Sequence, residues 1–105
     1  EEEAVRDAAL ELQLNIQGAL VLSVMIYGQK ISYQRKTGML CVNGVTCKVK
    51  EDLRNLSILA DREILEVAAN DDTLLYFFET GLQDLAGKIS VEADRNVDSW
   101  LWKVQ

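Results

Sequence analysis

The sequence predicts an all-β fold, a two-layer antiparallel β-sandwich of jelly-roll-like form with about nine or ten short strands. Three observations predict it. Leu10, Leu12, Leu14 and Ile16 alternate with Glu11, Gln13, Asn15 and Gln17, the period of a strand with one face buried and one wet. Asn43-Gly44 separates Leu40-Cys41-Val42 from Val45-Thr46-Cys47, and Asn-Gly supplies both positive-φ positions of a type I′ hairpin turn. Turn signals then recur at close intervals through a chain of 105 residues, a length that suits one domain spanning residues 1–105.

The elements follow in order. Residues 1–7 open on Glu1-Glu2-Glu3 and are expected to be frayed or helical, because acidic residues suit a helix N-terminus. A strand runs from about Ala8, and Gly18 ends its alternation. Ala19 to Tyr27 is rich in aliphatic and β-branched residues and is expected to be a strand buried on both faces. Gly28-Gln29 marks the next turn, Lys30 to Gln34 alternates again, and Arg35-Lys36-Thr37-Gly38 is a turn. Leu56 to Ala60 and Ile64 to Ala69 flank Asp61-Arg62-Glu63. Asn70-Asp71-Asp72 turns the chain into Thr73 to Glu79, Gly81 to Gly87 is a loop, and Lys88 to Ala93 and Val97 to Val104 close the fold around Asp94-Arg95-Asn96.

The Asn43-Gly44 hairpin also decides the two cysteines. A two-residue loop pairs Val42 with Val45, Cys41 with Thr46 and Leu40 with Cys47. Leu40, Val42, Val45, Cys47 and Val49 then share one face, while Cys41, Thr46, Lys48 and Lys50 take the other. Cys41 and Cys47 point to opposite faces and stay as free thiols. A three-residue loop, the rarer solution, would bring them opposite each other.

Composition removes several function classes. The formal net charge is −6, with 11 Lys and Arg against 17 Asp and Glu, and no basic stripe is concentrated anywhere, so a nucleic-acid partner is not expected. The longest apolar stretch, Ala19 to Tyr27, is too short to cross a membrane as a helix. The chain has no His, which removes the commonest general base and metal ligand, and two cysteines make neither a zinc site nor a disulfide scaffold. No cofactor is expected.

Carboxylates remain to be considered. Asp61, Glu63 and Glu66 lie close in sequence, as do Asp71 and Asp72, and a glycosidase-type pair needs two acids held about 5–10 Å apart. The plainer reading makes Glu66 the wet face of a strand and Asp71-Asp72 turn residues. Asp61-Arg62 reads as a structural corner, a charged pair that bonds backbone where two strands meet. Aromatic rings offer a second chemistry, because a flat ring stacks on a sugar face. Tyr33, Tyr76 and Phe78 are the candidates, while Trp100 and Trp102 share one face and are expected in the core. Leu74 to Phe78 carries apolar groups on both faces, as a strand does when it lies against a neighbouring domain or subunit.

Three stretches, in order, resemble the C-terminal β-sandwich domain of glycoside hydrolase family 32, the invertases, levanases and inulinases. Ile31-Ser32-Tyr33-Gln34-Arg35-Lys36-Thr37-Gly38-Met39-Leu40, continuing into Val42-Asn43-Gly44-Val45-Thr46, looks like one strand–turn–strand of that domain. Ile58-Leu59-Ala60-Asp61-Arg62, Leu65-Glu66-Val67 and Asn70-Asp71 resemble its most specific hairpin, with Ala68 in place of the usual Phe and Asp72 in place of Gly. Ile89-Ser90-Val91-Glu92-Ala93 and Ser99-Trp100-Leu101-Trp102 are similar to its closing strands. The resemblance implies a module without catalytic residues, because that family's chemistry belongs to an N-terminal five-bladed propeller whose motifs do not occur here. It implies a catalytic propeller partner in the same or a companion chain, a fructan or other carbohydrate context, and a secreted or periplasmic setting. Two alternatives stand beside it: a stand-alone carbohydrate-binding module using Tyr33, Tyr76 and Phe78, and a self-associating domain that forms a homodimer through an edge strand or through Leu74–Phe78.

Overall fold

The computed structural model describes residues 2–6, 9–16, 18–49, 52–61, 63–70, 73–79 and 86–104. Alternating sequence becomes strand throughout, and no helix occurs among these residues. The strands are β1 (Glu2–Arg6), β2 (Ala9–Asn15), β3 (Val21–Ile26), β4 (Gln29–Gln34), β5 (Met39–Val42) and β6 (Val45–Lys48). They continue with β7 (Asn55–Ala60), β8 (Ile64–Ala69), β9 (Thr73–Glu79), β10 (Ala86–Ala93) and β11 (Asp98–Val104). One sheet has six strands in the order β1-β10-β3-β4-β5-β6, and the other has five in the order β11-β2-β7-β8-β9. Every pairing is antiparallel. The two sheets make a β-sandwich, the fold class the alternation predicts.

Two meanders, β3 to β6 and β7 to β9, are tied together by sheet-changing connections. The inward set of each strand forms one core. Leu22, Val24, Ile26, Ile31, Tyr33, Leu40 and Val42 meet Leu10, Leu12, Leu14, Leu56, Ile58, Leu65 and Val67 across it. Burying a side chain of this size contributes about 1.5–3 kcal/mol, so the core and not the wet faces sets the register.

Four elements differ from expectation. Glu2–Arg6, expected frayed or helical, is a strand paired with β10 from Glu2↔Ser90 to Arg6↔Ala86. Backbone partners on a sheet edge outweigh an acidic local preference for a helix start. β10 begins at Ala86, inside the stretch expected to be a loop, and residues 81–85 lie outside the described set. β3 is not buried on both faces: Leu22, Val24 and Ile26 are buried, but Val21 is 50% exposed. Among the described residues its sheet has no second layer on the outside, so aliphatic composition alone misled. The β3–β4 turn is Tyr27-Gly28 and not Gly28-Gln29. Tyr27 has φ 48° and Gly28 φ 76°, and Ile26 pairs with Gln29. Burial of the Tyr27 side chain offsets the cost of a bulky residue in the left-handed region.

The Asn43-Gly44 hairpin forms as expected. Val42 pairs with Val45, Cys41 with Thr46 and Leu40 with Cys47, with φ 49° at Asn43 and 84° at Gly44. Both cysteines are free. Val45 lies 49% exposed despite its inward register, at the start of the edge strand β6. Asn43 does more than turn the chain. Its Oδ1 accepts the Lys30 N–H at 3.0 Å, its own N–H donates to Lys30 O at 2.9 Å, and its Nδ2 donates to Gln29 Oε1. The two hairpins of this sheet are thereby locked side by side.

Candidate functional site

Two of the three expected sugar-stacking rings are core residues. Tyr33 is 1% exposed, and its hydroxyl oxygen accepts the buried Leu53 N–H at 3.3 Å. Tyr76 is 7% exposed, and its hydroxyl lies 2.9 Å from Leu40 O and 3.0 Å from Val45 O. Phe78 packs partly buried against the core and stacks on Tyr76 at 5.6 Å between centroids. Stacking on a sugar needs a free ring face, so Tyr33 and Tyr76 are corrected from candidate binding rings to core ties, Tyr33 to the segment before β7 and Tyr76 from β9 to the β5–β6 hairpin. The hydroxyls supply the physical reason. A buried tyrosine must place its O–H on a partner, and each of these reaches a backbone group far away in sequence. Burial, with Cys47 and then Cys41 nearby, pushes the Tyr76 hydroxyl up to about 12.

Asp61 holds the corner expected of it. Its Oδ1 accepts the N–H groups of Glu63 and Ile64, both at 2.8 Å, and its own N–H donates to Ile64 O at 3.0 Å. This is an Asx-type turn joining β7 to β8. Arg62, its expected companion, lies outside the described residues, as do Asp71 and Asp72. Asn70, with φ 51°, makes a second clamp: its Oδ1 accepts the Arg54 N–H at 2.8 Å and its Nδ2 donates to Asp52 O at 3.3 Å. A third links the sheet-changing segments, where Asp94 Oδ1 accepts the N–H groups of Leu20 at 2.8 Å and Val21 at 3.0 Å. Hydrogen bonds from Val21 and Leu20 hold its carboxyl below the ordinary value of 3.8. These carboxylates are occupied with backbone, and no group of three or more His, Cys, Asp or Glu among the described residues is placed to hold a metal.

A concave feature lies elsewhere, across β11, β2 and β7 of the five-stranded sheet and reaching the β4–β5 turn of the other sheet. Register places its residues. Trp100 pairs with Gln13 and Gln13 with Ser57, so these three form one row across β11, β2 and β7. Asp98, Asn15 and Asn55 form the next outward row. The period-two alternation that buries Leu12 and Leu14 necessarily turns Gln13 and Asn15 outward. A groove of about 640 Å³ opens here, with Trp100, Gln13, Asn15, Asn55, Ser57 and Arg54 in its lining together with Leu14, Leu53 and Leu56. Its far end is closed by the Gly18 turn and Arg35. Gly18 has φ 92°, and the Arg35 Nη1 stands 3.7 Å from the place where a Cβ would sit. The Arg35 guanidinium pairs with Asp52 at 3.7 Å, a separation too long for a tight fork.

Trp100 was expected in the core and is 48% exposed. Register sets Trp100 opposite Gln13, on the outer face; the Trp102 side chain, expected to share its face, lies outside the described set. The signal was the partner strand: a residue placed opposite Gln13 must share the polar side of β2. Consecutive aromatics at the other edge behave as their alternation requires. Tyr76 and Phe78 turn inward, while Phe77 is 53% exposed on β9 with Leu74 at 54%. No protein-family model matches the chain, and no curated protein matches it in sequence.

Proposed function

We propose that this chain is a non-catalytic β-sandwich module similar to the C-terminal domain of glycoside hydrolase family 32, built to pack against a catalytic propeller in the same or a companion chain. One observation carries the reading. The edge strand β9 spends Tyr76 and Phe78 on its own core and still presents Leu74 and Phe77 outward, each more than half exposed. Two large apolar side chains at a sheet edge are a liability for a lone module and an asset for one that docks. The Asp61 corner, which falls within the stretch that resembles the family's hairpin, supports the same reading.

Two measurements test it. The purified chain hydrolyses neither sucrose, inulin nor levan; turnover by a rigorously purified sample refutes the proposal. Added to a family 32 propeller deprived of its own sandwich, the chain raises the propeller's melting temperature, and the double variant Leu74→Ser, Phe77→Ser does not. No rise with the unaltered chain counts against the docking role. A concentration-dependent dimer that the double variant dissolves would instead assign this face to a second copy of the chain.

A further inference from the structure

We infer that the groove between β11, β2 and β7 is a binding site for a neutral oligosaccharide. The inference is independent of family membership and uses residues at the opposite edge of the sheet from Leu74 and Phe77. A saccharide ring has an apolar C–H face and a rim of hydroxyls that both donate and accept. The groove offers the matching pair of features. The Trp100 indole, about half exposed at one wall, presents a flat π-face for the C–H side of a ring. Gln13, Asn15, Asn55 and Ser57 stand beside it in two outward rows set by strand register. Amides and a hydroxyl both donate and accept, as sugar hydroxyls require.

Two other ligand classes fit worse. A nucleic acid would bring phosphates to a chain of net charge −6, where Asp52 already pairs with the lining residue Arg35 and Asp98 lies opposite the lining residue Asn15 in register. A wholly apolar ligand would cover the Gln13, Asn15 and Ser57 side chains while offering them no hydrogen bond. A neutral polyhydroxyl chain avoids both costs. The groove's volume of about 640 Å³ accommodates a short oligosaccharide. The backbone under the site is tied down. Trp100 and Gln13 stand on paired strands, and the Arg54 backbone is held both by Asn70 Oδ1 at 2.8 Å and by the Ile16 N–H, which donates to Arg54 O at 2.9 Å. A preformed site loses little freedom on binding.

The test is titration with fructo-, malto- and cello-oligosaccharides, read by calorimetry and by backbone amide shifts. At least one series binds saturably, with shifts confined to β2, β7 and β11. Trp100→Ala weakens that binding about tenfold or more, Asn55→Ala weakens it less, and Thr46→Ala on the opposite sheet leaves it unchanged. Binding is insensitive to salt, as befits a neutral ligand. Each variant's amide spectrum checks that it is folded. No saturable binding by any series at millimolar ligand overturns the inference, and so does binding that survives Trp100→Ala or shifts centred away from the groove.

Discussion

Replacing Tyr76 by Phe keeps the ring and removes one oxygen, which isolates what the hydroxyl does. That hydroxyl crosses from β9 to the β5–β6 hairpin, where Leu40 O and Val45 O compete for its single proton at 2.9 and 3.0 Å. With the ring still filling its place, no cavity opens. The loss is one buried hydrogen bond plus acceptors that water reaches poorly, about 1–2 kcal/mol, or roughly 5–10 °C in melting temperature for a domain of this size. The same oxygen makes a second, opposite prediction at high pH. Burial raises its pKa from 10.0 to about 12 in the folded protein. A raised folded value means the contribution is complete below pH 10 and is lost as pH climbs toward 12, because the unfolded chain releases its proton first. By about pH 11 the unaltered protein has lost about 1.4 kcal/mol that the variant never had. The gap between the two therefore shrinks to near zero or reverses. Urea midpoints for both proteins, from neutral to about pH 11 at constant m-value, measure this directly. A gap that stays constant across that range refutes the burial of the hydroxyl, and no gap at neutral pH refutes the cross-sheet bond.

Two further outcomes follow from the same geometry. Asp94 carries a lowered pKa because two backbone N–H groups donate to its carboxylate; its contribution is present above 3.8 and is lost as pH falls through the lower folded value. Asp94→Asn, which keeps an acceptor oxygen but cannot titrate, flattens the acid limb of stability against pH, as urea midpoints toward about pH 3 will record. Gly44→Ala destabilises by about 1–2 kcal/mol through backbone strain alone, since φ is 84° and an added Cβ would meet nothing within 4 Å; a crowding clash cannot explain a loss there, and no loss would refute the type I′ assignment.

Much of the fold was legible because its signals are local. The alternation from Leu10 to Ile16 names both faces of β2 without knowledge of any neighbour, and Asn43-Gly44 sets the register of β5 on β6 through turn geometry alone. That register also placed Cys41 and Cys47 on opposite faces and left them free. Asp61 was legible as a corner because an Asx turn reaches only to residues 63 and 64. Where two local preferences competed, as in acidic Glu2–Arg6 or in the aliphatic run of β3, sequence pattern could not say which sheet edge or solvent face would arbitrate.

By itself the sequence determined strand content, the hairpin turns and which residues of each strand share a side, because these depend on side-chain period and on φ preferences within a few residues. Only the tertiary structure decided which side faced inward for Trp100, where the hydroxyls of Tyr33 and Tyr76 would find partners, and that a groove would open over β2. Each of those depends on strands far apart in sequence meeting in one register. That register is chosen by the summed burial of two opposed faces, a quantity no single segment contains.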